Sequence, residues 1–268
     1  MKRITFGNKK IFYRTAGNGD AVMLLHGFAE DNSIWNYLAE KLTEKFYVII
    51  PDLPGSGASE MLDGEASIED YAEVIKAIAD AEINNNQRKT FTLIGHSMGG
   101  YITLAFAGKY PELLNSFGLF HSSAFADDDE KKDTRRKGIE FIKQHGAASF
   151  LKATIPNLFS ERTKKENPIL IDDLLNLSKN FSAETLIQYY EAMIKRPERI
   201  SVLKSFSKPV LFIIGKQDAA IPLDVSLSQC HLPLISSVNI LENSGHMGMW
   251  EQPGKSLDFL LKFRTQVR

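Results

Sequence analysis

The sequence predicts an α/β fold, with a mostly parallel, doubly wound sheet of about eight strands and a helical cap inserted after the sixth strand. Short apolar runs, typical of buried strands, alternate with longer stretches whose apolar residues fall at helical spacing. The alternation stops near residue 123 and resumes near residue 207. Because such alternation indicates parallel strands joined by crossover helices, we expect a core of residues 1–123 and 207–268 and a cap of residues 124–206.

The elements of the core follow from these patterns in chain order. Short apolar runs predict strands over residues 4–6, 10–15, 21–25, 47–50, 91–94, 116–120, 209–214 and 237–241. Apolar residues at helical spacing predict helices over residues 34–45, 67–83, 101–109 and 257–263. Ser67 is expected to cap the second of these helices, because a serine oxygen at that position accepts a free backbone N–H.

The insert contains no convincing strand, and its helical patterns recur near residues 169–177 and 183–194. It opens on a dense run of charge, in which residues 127–137 hold five acids and five bases. Opposite charges four residues apart, such as Asp127 and Lys131, suit an exposed helix face. We therefore interpret this run as solvated surface and not as a binding patch.

Composition and charge exclude several classes of protein. The chain has 268 residues, 43% hydrophobic and 24% charged, and a net charge of −1, which is typical of a globular protein without electrostatic attraction to nucleic acid. No signal peptide is expected, and no apolar run is long enough to cross a bilayer. Cys230 is the single cysteine, so no intrachain disulfide is expected, and we expect a buried thiol. These features predict a cytoplasmic protein with no nucleic-acid partner, and they leave its oligomeric state open.

The central motif is Gly95-His96-Ser97-Met98-Gly99, which lies between a predicted strand and a predicted helix. A serine in such a tight turn has a strained backbone and an exposed hydroxyl, and the glycines leave room for the neighbouring elements. The start of the following helix adds partial positive charge where an oxyanion would develop. The motif therefore predicts Ser97 as a nucleophile.

Further motifs lie on both sides of the serine motif along the chain. They are His26-Gly27-Phe28, the segment DLPGSGAS at residues 52–59, the strand that leads to Asp218, and the loop Asn243-Ser244-Gly245-His246. Together with the serine motif, they resemble the α/β-hydrolase superfamily over nearly the whole core. The resemblance implies the α/β-hydrolase fold and a serine hydrolase of esterase type with a helical lid.

The resemblance also implies the partners of the serine. In the order Ser, Asp, His that such hydrolases show, Asp218 is the acid and His246 the general base. Histidine titrates in the range a base needs, and a carboxylate fixes its tautomer. Of the other histidines, His26 and His96 are expected to be structural. Two backbone N–H groups, those of Phe28 and Met98, are expected to form the oxyanion hole.

A lid over Ser97 must direct some apolar surface inward, because ligand pockets are mostly apolar. Aromatic residues at helical spacing are more often core than pocket, so helical spacing alone does not identify pocket residues. We expect the pocket wall to include Trp35, His121, Phe125, Phe150, Phe159, Tyr189, Met193 and Met247. No metal-ligand spacing or phosphate-binding loop is visible, so neither a metal nor a cofactor is expected.

These features predict a hydrolase that cleaves a small-to-medium ester, thioester or related acyl substrate through an acyl-enzyme on Ser97. The same three residues would serve a C–C bond hydrolase, a lactonase or a perhydrolase, and the fold does not choose among them. A ligand receptor with negligible turnover is a further alternative. The physiological substrate and its leaving group stay open.

Overall fold

The computed structural model describes residues 1–83 and 89–266. It confirms the predicted fold class, because eight strands form one mostly parallel sheet flanked by helices. The strands are β1 (Lys2–Phe6), β2 (Lys9–Ala16), β3 (Ala21–Leu25), β4 (Tyr47–Pro51), β5 (Phe91–His96), β6 (Leu114–Phe120), β7 (Val210–Gly215) and β8 (Ser236–Leu241). The α-helices are α1 (Asn36–Leu42), α2 (Ile68–Glu82), α3 (Met98–Lys109), α4 (Asp129–Thr154), α5 (Glu161–Glu166), α6 (Ile169–Ser178), α7 (Ala183–Lys195), α8 (Ile200–Ser205), α9 (Leu223–Gln229), α10 (Gly248–Glu251) and α11 (Pro253–Gln266).

The strand order is β1-β2-β4-β3-β5-β6-β7-β8. β2 runs antiparallel to β1 and to β4, and every later pairing is parallel. From β3 the chain first moves to β4 on one side and then crosses to β5 on the other. Such a reversal opens a crevice at the carboxyl ends of the two strands, where α/β proteins bind ligands.

Both faces of the sheet are covered, which explains why the strands read as continuous apolar runs. Every residue of β3, β5 and β7 is buried. Met23 and Leu25 belong to an apolar cluster with α2 and α3, whereas Val22 and Leu24 belong to a second cluster with α1 and α11. The alternation of side chains along β3 therefore divides one apolar strand between two cores.

Helix starts are set by local hydrogen bonds. Ser67 caps α2 as predicted, because its side chain accepts the Asp70 N–H while the Asp70 carboxylate accepts the Ser67 N–H. The helix predicted over residues 34–45 is shorter, since a 3-10 turn (Asn32–Trp35) capped by Asp31 precedes α1. The helix predicted from residue 101 begins three residues earlier, at Met98.

Helices α4 to α8 fill the insert. α4 packs against α7 and changes direction at Gly146, where φ is +81°. α8 lies within the predicted cap but packs on α3 of the core. None of the helices in residues 1–83 and 89–266 is both long and apolar enough to cross a bilayer. Cytoplasmic residence stays a prediction. Cys230 is buried, as expected, and burial raises the pKa of its thiol to about 11.

The prediction that the charge run is solvated is wrong for Asp127 and Arg135. Asp127 is buried, and its carboxylate binds Arg135 Nε at 2.6 Å and Arg196 Nη1 at 2.9 Å. α4 begins only after Asp127, and its second turn brings Arg135 back over that carboxylate. Sequence spacing within the run could not reveal Arg196, which lies beyond α7. The other acids, Asp128 to Glu130 and Asp133, are exposed as predicted.

We expect Asp127→Asn to lower the free energy of unfolding by about 3 kcal/mol, because it leaves two largely buried guanidinium groups without their shared counter-ion. Urea denaturation of the variant and the wild type measures this difference. Asp133→Asn is the matched control, since Asp133 pairs with Arg136 at the exposed surface and its loss should change stability by less than about 0.5 kcal/mol. Equal stabilities of Asp127→Asn and the wild type would contradict the structural role given to Asp127.

Candidate active site

Ser97 alone forms the turn between β5 and α3. Its backbone is left-handed, with φ of +50°, a conformation that costs energy for a residue other than glycine. The turn is fixed by three bonds: Ser97 N–H donates to the Phe120 carbonyl (3.0 Å), and the Ser97 carbonyl accepts from Gly100 N–H (2.9 Å) and Ser122 Oγ (2.7 Å). Within the described residues no partner holds Ser97 Oγ. The backbone is therefore rigid while the hydroxyl is available.

The glycines on either side of Ser97 are required by close packing. A Cβ at Gly95 would collide with the Gly99 carbonyl in the first turn of α3. A Cβ at Gly99 would lie 2.5 Å from the carbonyl oxygen of His26, at the end of β3. The motif thus brings the start of α3 against the loop after β3, which joins the two sides of the crevice.

His246 and Asp218 are brought together as a hydrogen-bonded pair. His246 Nδ1 lies 2.8 Å from Asp218 Oδ2, and Asp218 Oδ1 accepts the N–H groups of Ala220 (2.8 Å) and Ile221 (2.9 Å). Burial alone would raise the pKa of Asp218, but His246 and His121 beside it hold that pKa far below its usual range. The ionised carboxylate accepts the Nδ1 proton of His246 and leaves Nε2 as the basic nitrogen.

Ser97 and His246 line the same cavity, which has a volume of about 780 Å³. The Ser97 hydroxyl is not hydrogen-bonded to the His246 ring in this structure. Such bonds between nucleophile and base are often long without substrate and tighten in the complex. Ser97 and His246 therefore face one cavity, and Asp218 does not line it but is hydrogen-bonded to His246.

The loop that carries His246 is tied to the cap by Glu251. One carboxylate oxygen accepts the Gly245 N–H (2.8 Å), and the other accepts the Ser160 N–H (2.8 Å) and Thr163 Oγ1–H (2.7 Å). His246 N–H itself donates to the carbonyl of Leu158, 2.7 Å away. The cap therefore fixes the position of the imidazole. Sequence analysis missed Glu251, because its partners in the cap lie about 90 positions away and form no local pattern with it.

A buried ion pair of His96 and Glu30 also contacts the loop that carries His246. His96 Nδ1 lies 2.9 Å from Glu30 Oε2, and His96 Nε2 lies 2.9 Å from the His246 carbonyl. Burial would lower the pKa of His96, but the Glu30 carboxylate outweighs it and raises that pKa. A protonated ring donates at both nitrogens, so the imidazolium of His96 links Glu30 to the His246 backbone. This matches the structural role expected of His96.

The backbone donors expected for an oxyanion hole are free. Neither the Phe28 N–H nor the Met98 N–H has an acceptor in the part of the chain that the structure describes. Met98 is the first residue of α3, where N–H groups lack partners and the helix dipole is positive. Glu30 Oε2 accepts the Gly27 N–H at 2.6 Å and so holds the loop that carries Phe28.

The cavity wall differs from the predicted one. Phe125 and Met193 line the cavity, as does Phe28. The other predicted pocket residues do not line it: Trp35, His121, Phe150, Phe159, Tyr189 and Met247. Each is buried instead, since helical or strand spacing reveals which residues are inside but not whether they face a core or a cavity. Trp35, for example, packs edge-on against Phe120, 5.5 Å between ring centroids.

His121 lies behind Asp218 and not in the predicted pocket wall. Its Nδ1 lies 3.2 Å from Asp218 Oδ2, the oxygen that also binds His246, and 3.0 Å from the Gly215 N–H. The Gly248 N–H points at Nε2, 3.2 Å away. A neutral ring cannot satisfy all three neighbours, and the charged carboxylate is the strongest acceptor, so we assign the proton to Nδ1.

The ring of His121 packs closely against Gly215, at the end of β7, and against Gly248. A Cβ at Gly215 or at Gly248 would collide with it, so both glycines are needed to admit the imidazole. His121, Asp218 and His246 each offer an atom that could bind a metal ion, and these three atoms lie within 4.8 Å of one another. Both Nδ1 atoms already face the shared carboxylate oxygen, so hydrogen bonding accounts for this cluster without a metal. His121 is thus a positioning residue for Asp218.

The buried ring of His121 predicts a pH dependence of stability. Burial lowers its pKa to about 4, whereas an unfolded histidine has a pKa of about 6.5. Protons therefore bind the unfolded state first, and the contribution present above pH 6.5 is lost as the pH falls towards 4. We expect wild type to lose about 3 kcal/mol more than His121→Gln over this interval. Urea denaturation at successive pH values measures it, and parallel curves for the two proteins would contradict the assignment.

Comparisons with known proteins agree with this geometry. The family model described as serine aminopeptidase, S33, matches residues 18–238. A thermophilic esterase from Thermogutta terrifontis, solved with malate bound, is 27% identical with a TM-score of 0.92, covering 99% of this chain and 98% of that chain. Monoacylglycerol lipase abhd6-A from Xenopus laevis is 25% identical over 286 residues, covering 100% of this chain and 83% of that protein.

An enol-lactonase from Burkholderia xenovorans LB400 has a TM-score of 0.89 at 19% identity, covering 98% of this chain and all of that one. At that identity the likeness concerns the fold alone. The family match spans most of the chain, including both strands that flank the crevice and the turn at Ser97. The chain therefore belongs to the serine aminopeptidase, S33, family of the α/β hydrolases.

Proposed function

We propose that this protein is a serine hydrolase that cleaves a small-to-medium ester or related acyl substrate through an acyl-enzyme on Ser97. At the level of its family the chain is an ester-cleaving hydrolase. The observation that carries the finer proposal is that Ser97 and His246 share one cavity. The Ser97 backbone is strained and its hydroxyl has no partner among the described residues, while His246 is already paired with Asp218.

In the first half of the reaction, His246 Nε2 takes the proton of Ser97 Oγ as the oxygen attacks the carbonyl carbon of the ester. The carbonyl oxygen becomes negatively charged and accepts hydrogen bonds from the N–H groups of Phe28 and Met98. Removing one such donor typically costs about 10²- to 10³-fold in rate. Neither N–H group has an acceptor among the described residues, which is what a site prepared for a developing charge requires.

The tetrahedral intermediate then collapses, and the leaving alcohol takes the proton from His246. This leaves the acyl group bonded to Ser97 Oγ. A water molecule attacks that acyl group while His246 accepts its proton, and the second collapse releases the carboxylic acid and restores the Ser97 hydroxyl. Throughout, Asp218 stays ionised and stabilises the imidazolium that forms at His246.

The cavity limits the substrate by size and chemistry. Its volume of about 780 Å³ lies within the range of small-molecule sites, and Phe28, Tyr190 and Met193 supply apolar wall. Phe28 stacks on Tyr190 with 4.6 Å between ring centroids, which fixes part of that wall. Charged residues, among them Asp127, Arg135 and Arg196, complete the lining. We therefore expect a substrate with a polar or charged part as well as an apolar one.

We expect Ser97→Ala to lower kcat/KM on a p-nitrophenyl ester by about 10⁴-fold or more, because no nucleophile remains. Covalent labelling should be lost as well: intact-mass spectrometry should show one fluorophosphonate adduct on wild type and none on Ser97→Ala. Ser123→Ala is the matched control, since Ser123 lines the same cavity and should keep both activity and labelling. Full esterase activity of Ser97→Ala would reject the proposal.

A further inference from the structure

The wall of the active-site cavity contains an unbalanced group of buried charges. One carboxylate, Asp127, is shared by two guanidinium groups: Arg196 Nη2 donates to its Oδ1 at 2.9 Å, and Arg135 Nε donates to its Oδ2 at 2.6 Å. All three residues line the cavity that contains Ser97. Arg135 and Arg196 together carry two positive charges against one negative charge, so this group has a net charge of +1.

The two arginines differ in how fully they are bonded. Arg196 also donates from Nη1 to the Met193 carbonyl (2.9 Å) and from Nη2 to the Phe125 carbonyl (3.1 Å). Its guanidinium carbon lies 3.8 Å from the ring centroid of Tyr101. Arg196 is therefore held by protein groups on several sides, and its role is to fix Asp127 and the start of the cap.

Among the residues that the structure describes, Arg135 is hydrogen-bonded through one nitrogen. Nε binds Asp127, whereas neither terminal amino group donates to any acceptor in the described residues. The side chain is 13% exposed, and its guanidinium carbon lies 5.3 Å from the ring centroid of Tyr190. The outer N–H bonds of these two amino groups form a planar fork and are available at the cavity wall. A planar fork of this kind matches the two oxygens of a carboxylate.

Other charges near the cavity do not complete this pairing. Glu30 also lines the cavity, but its carboxylate is paired with His96. Asp128 and Glu130 line it and are exposed, so water and salt weaken their attraction for Arg135. Lys131 donates to the Ala220 carbonyl at 2.9 Å. A guanidinium in a poorly solvated wall is stabilised most by an anion that enters the cavity, because such an anion replaces lost water with charge-assisted hydrogen bonds.

We propose that Arg135 binds a carboxylate carried by the substrate, so that the enzyme prefers an ester whose acyl or alcohol part ends in a second, ionised carboxyl group. This inference rests on the proposed function, because it places the scissile ester at Ser97. Asp127 and Arg196 hold the Arg135 guanidinium in place, and its free amino groups select the substrate. A neutral ester of the same length forms no such pair.

The test compares matched substrates that differ in one charge. The p-nitrophenyl monoesters of linear dicarboxylic acids are set against the p-nitrophenyl esters of monocarboxylic acids of the same chain lengths. We expect Arg135→Gln to lower kcat/KM on the best anionic ester by about 10- to 100-fold, chiefly through KM, and to change the neutral ester by less than about threefold. Arg135→Lys, which keeps the charge but loses the fork, should fall between wild type and Arg135→Gln.

Arg136→Gln is the matched control, because Arg136 is the next residue on the same helix and pairs with Asp133 at the surface. It should keep the wild-type preference. Thermal unfolding of each variant checks folding, and Arg135→Lys supplies the comparison if Arg135→Gln does not fold. Unchanged kcat/KM on every anionic ester, or an equal loss on both substrate series, would overturn the assignment while leaving the proposed hydrolase intact.

A binding measurement separates the inference from the chemistry. Isothermal calorimetry of Ser97→Ala with the monomethyl esters of the same linear dicarboxylic acids should show saturable binding of at least one of them, which Arg135→Gln, introduced into the same protein, weakens about 10-fold or more. If wild type cleaves no ester but this difference is found, the proposed function fails and the carboxylate site stands. If the two proteins bind these monoesters equally, the carboxylate site is excluded.

Discussion

The buried carboxylate of Asp218 is the group on which the rest of the site depends. It lies beyond the end of β7, accepts two backbone N–H groups, and receives hydrogen bonds from two imidazoles at one oxygen. A buried anion is costly unless its lone pairs are used, and here these four donors serve that purpose. The same bonds that stabilise the charge fix the orientation of His246 and therefore direct Nε2 towards the cavity.

The sheet explains why these side chains can meet although they are far apart in sequence. Parallel strands place their carboxyl ends at one edge, and the reversal between β3 and β5 opens a crevice there. Gly99 allows α3 to approach the end of β3, while Gly215 and Gly248 admit the ring of His121. The geometry of the site thus depends on these glycines as well as on Ser97, Asp218 and His246.

The cap contributes more than a cover. Through Glu251 and the Leu158 carbonyl it holds the loop of His246, and through Arg135 it presents charge to the cavity. The insert therefore holds the loop of His246 and, in our proposal, takes part in substrate recognition. This arrangement couples the geometry of the base to the packing of residues that lie in a different part of the chain.

The parts that could be predicted from sequence are those that depend on local chemistry. The turn at Ser97 needs glycines at fixed offsets, and the Ser67 cap needs a serine three residues before an acid, so both are visible in a short window. Tyr189 shows the limit, because helical spacing indicated that it faces inward but not that its hydroxyl binds the Pro54 carbonyl at 2.8 Å. The roles of Asp127 and Glu251 were not predicted, because each also binds residues from a distant segment: Arg196 for Asp127, and Ser160 and Thr163 for Glu251.

The central claim is that Asp218 makes His246 a base for Ser97. The most direct measurement is the rate at which a fluorophosphonate modifies Ser97 in wild type and in Asp218→Asn, because this reaction needs the activated hydroxyl but no turnover. The account predicts a rate about 10⁴-fold lower in the variant with unchanged folding, since the asparagine no longer stabilises the imidazolium or its tautomer. A folded Asp218→Asn protein that is modified at the wild-type rate would contradict it.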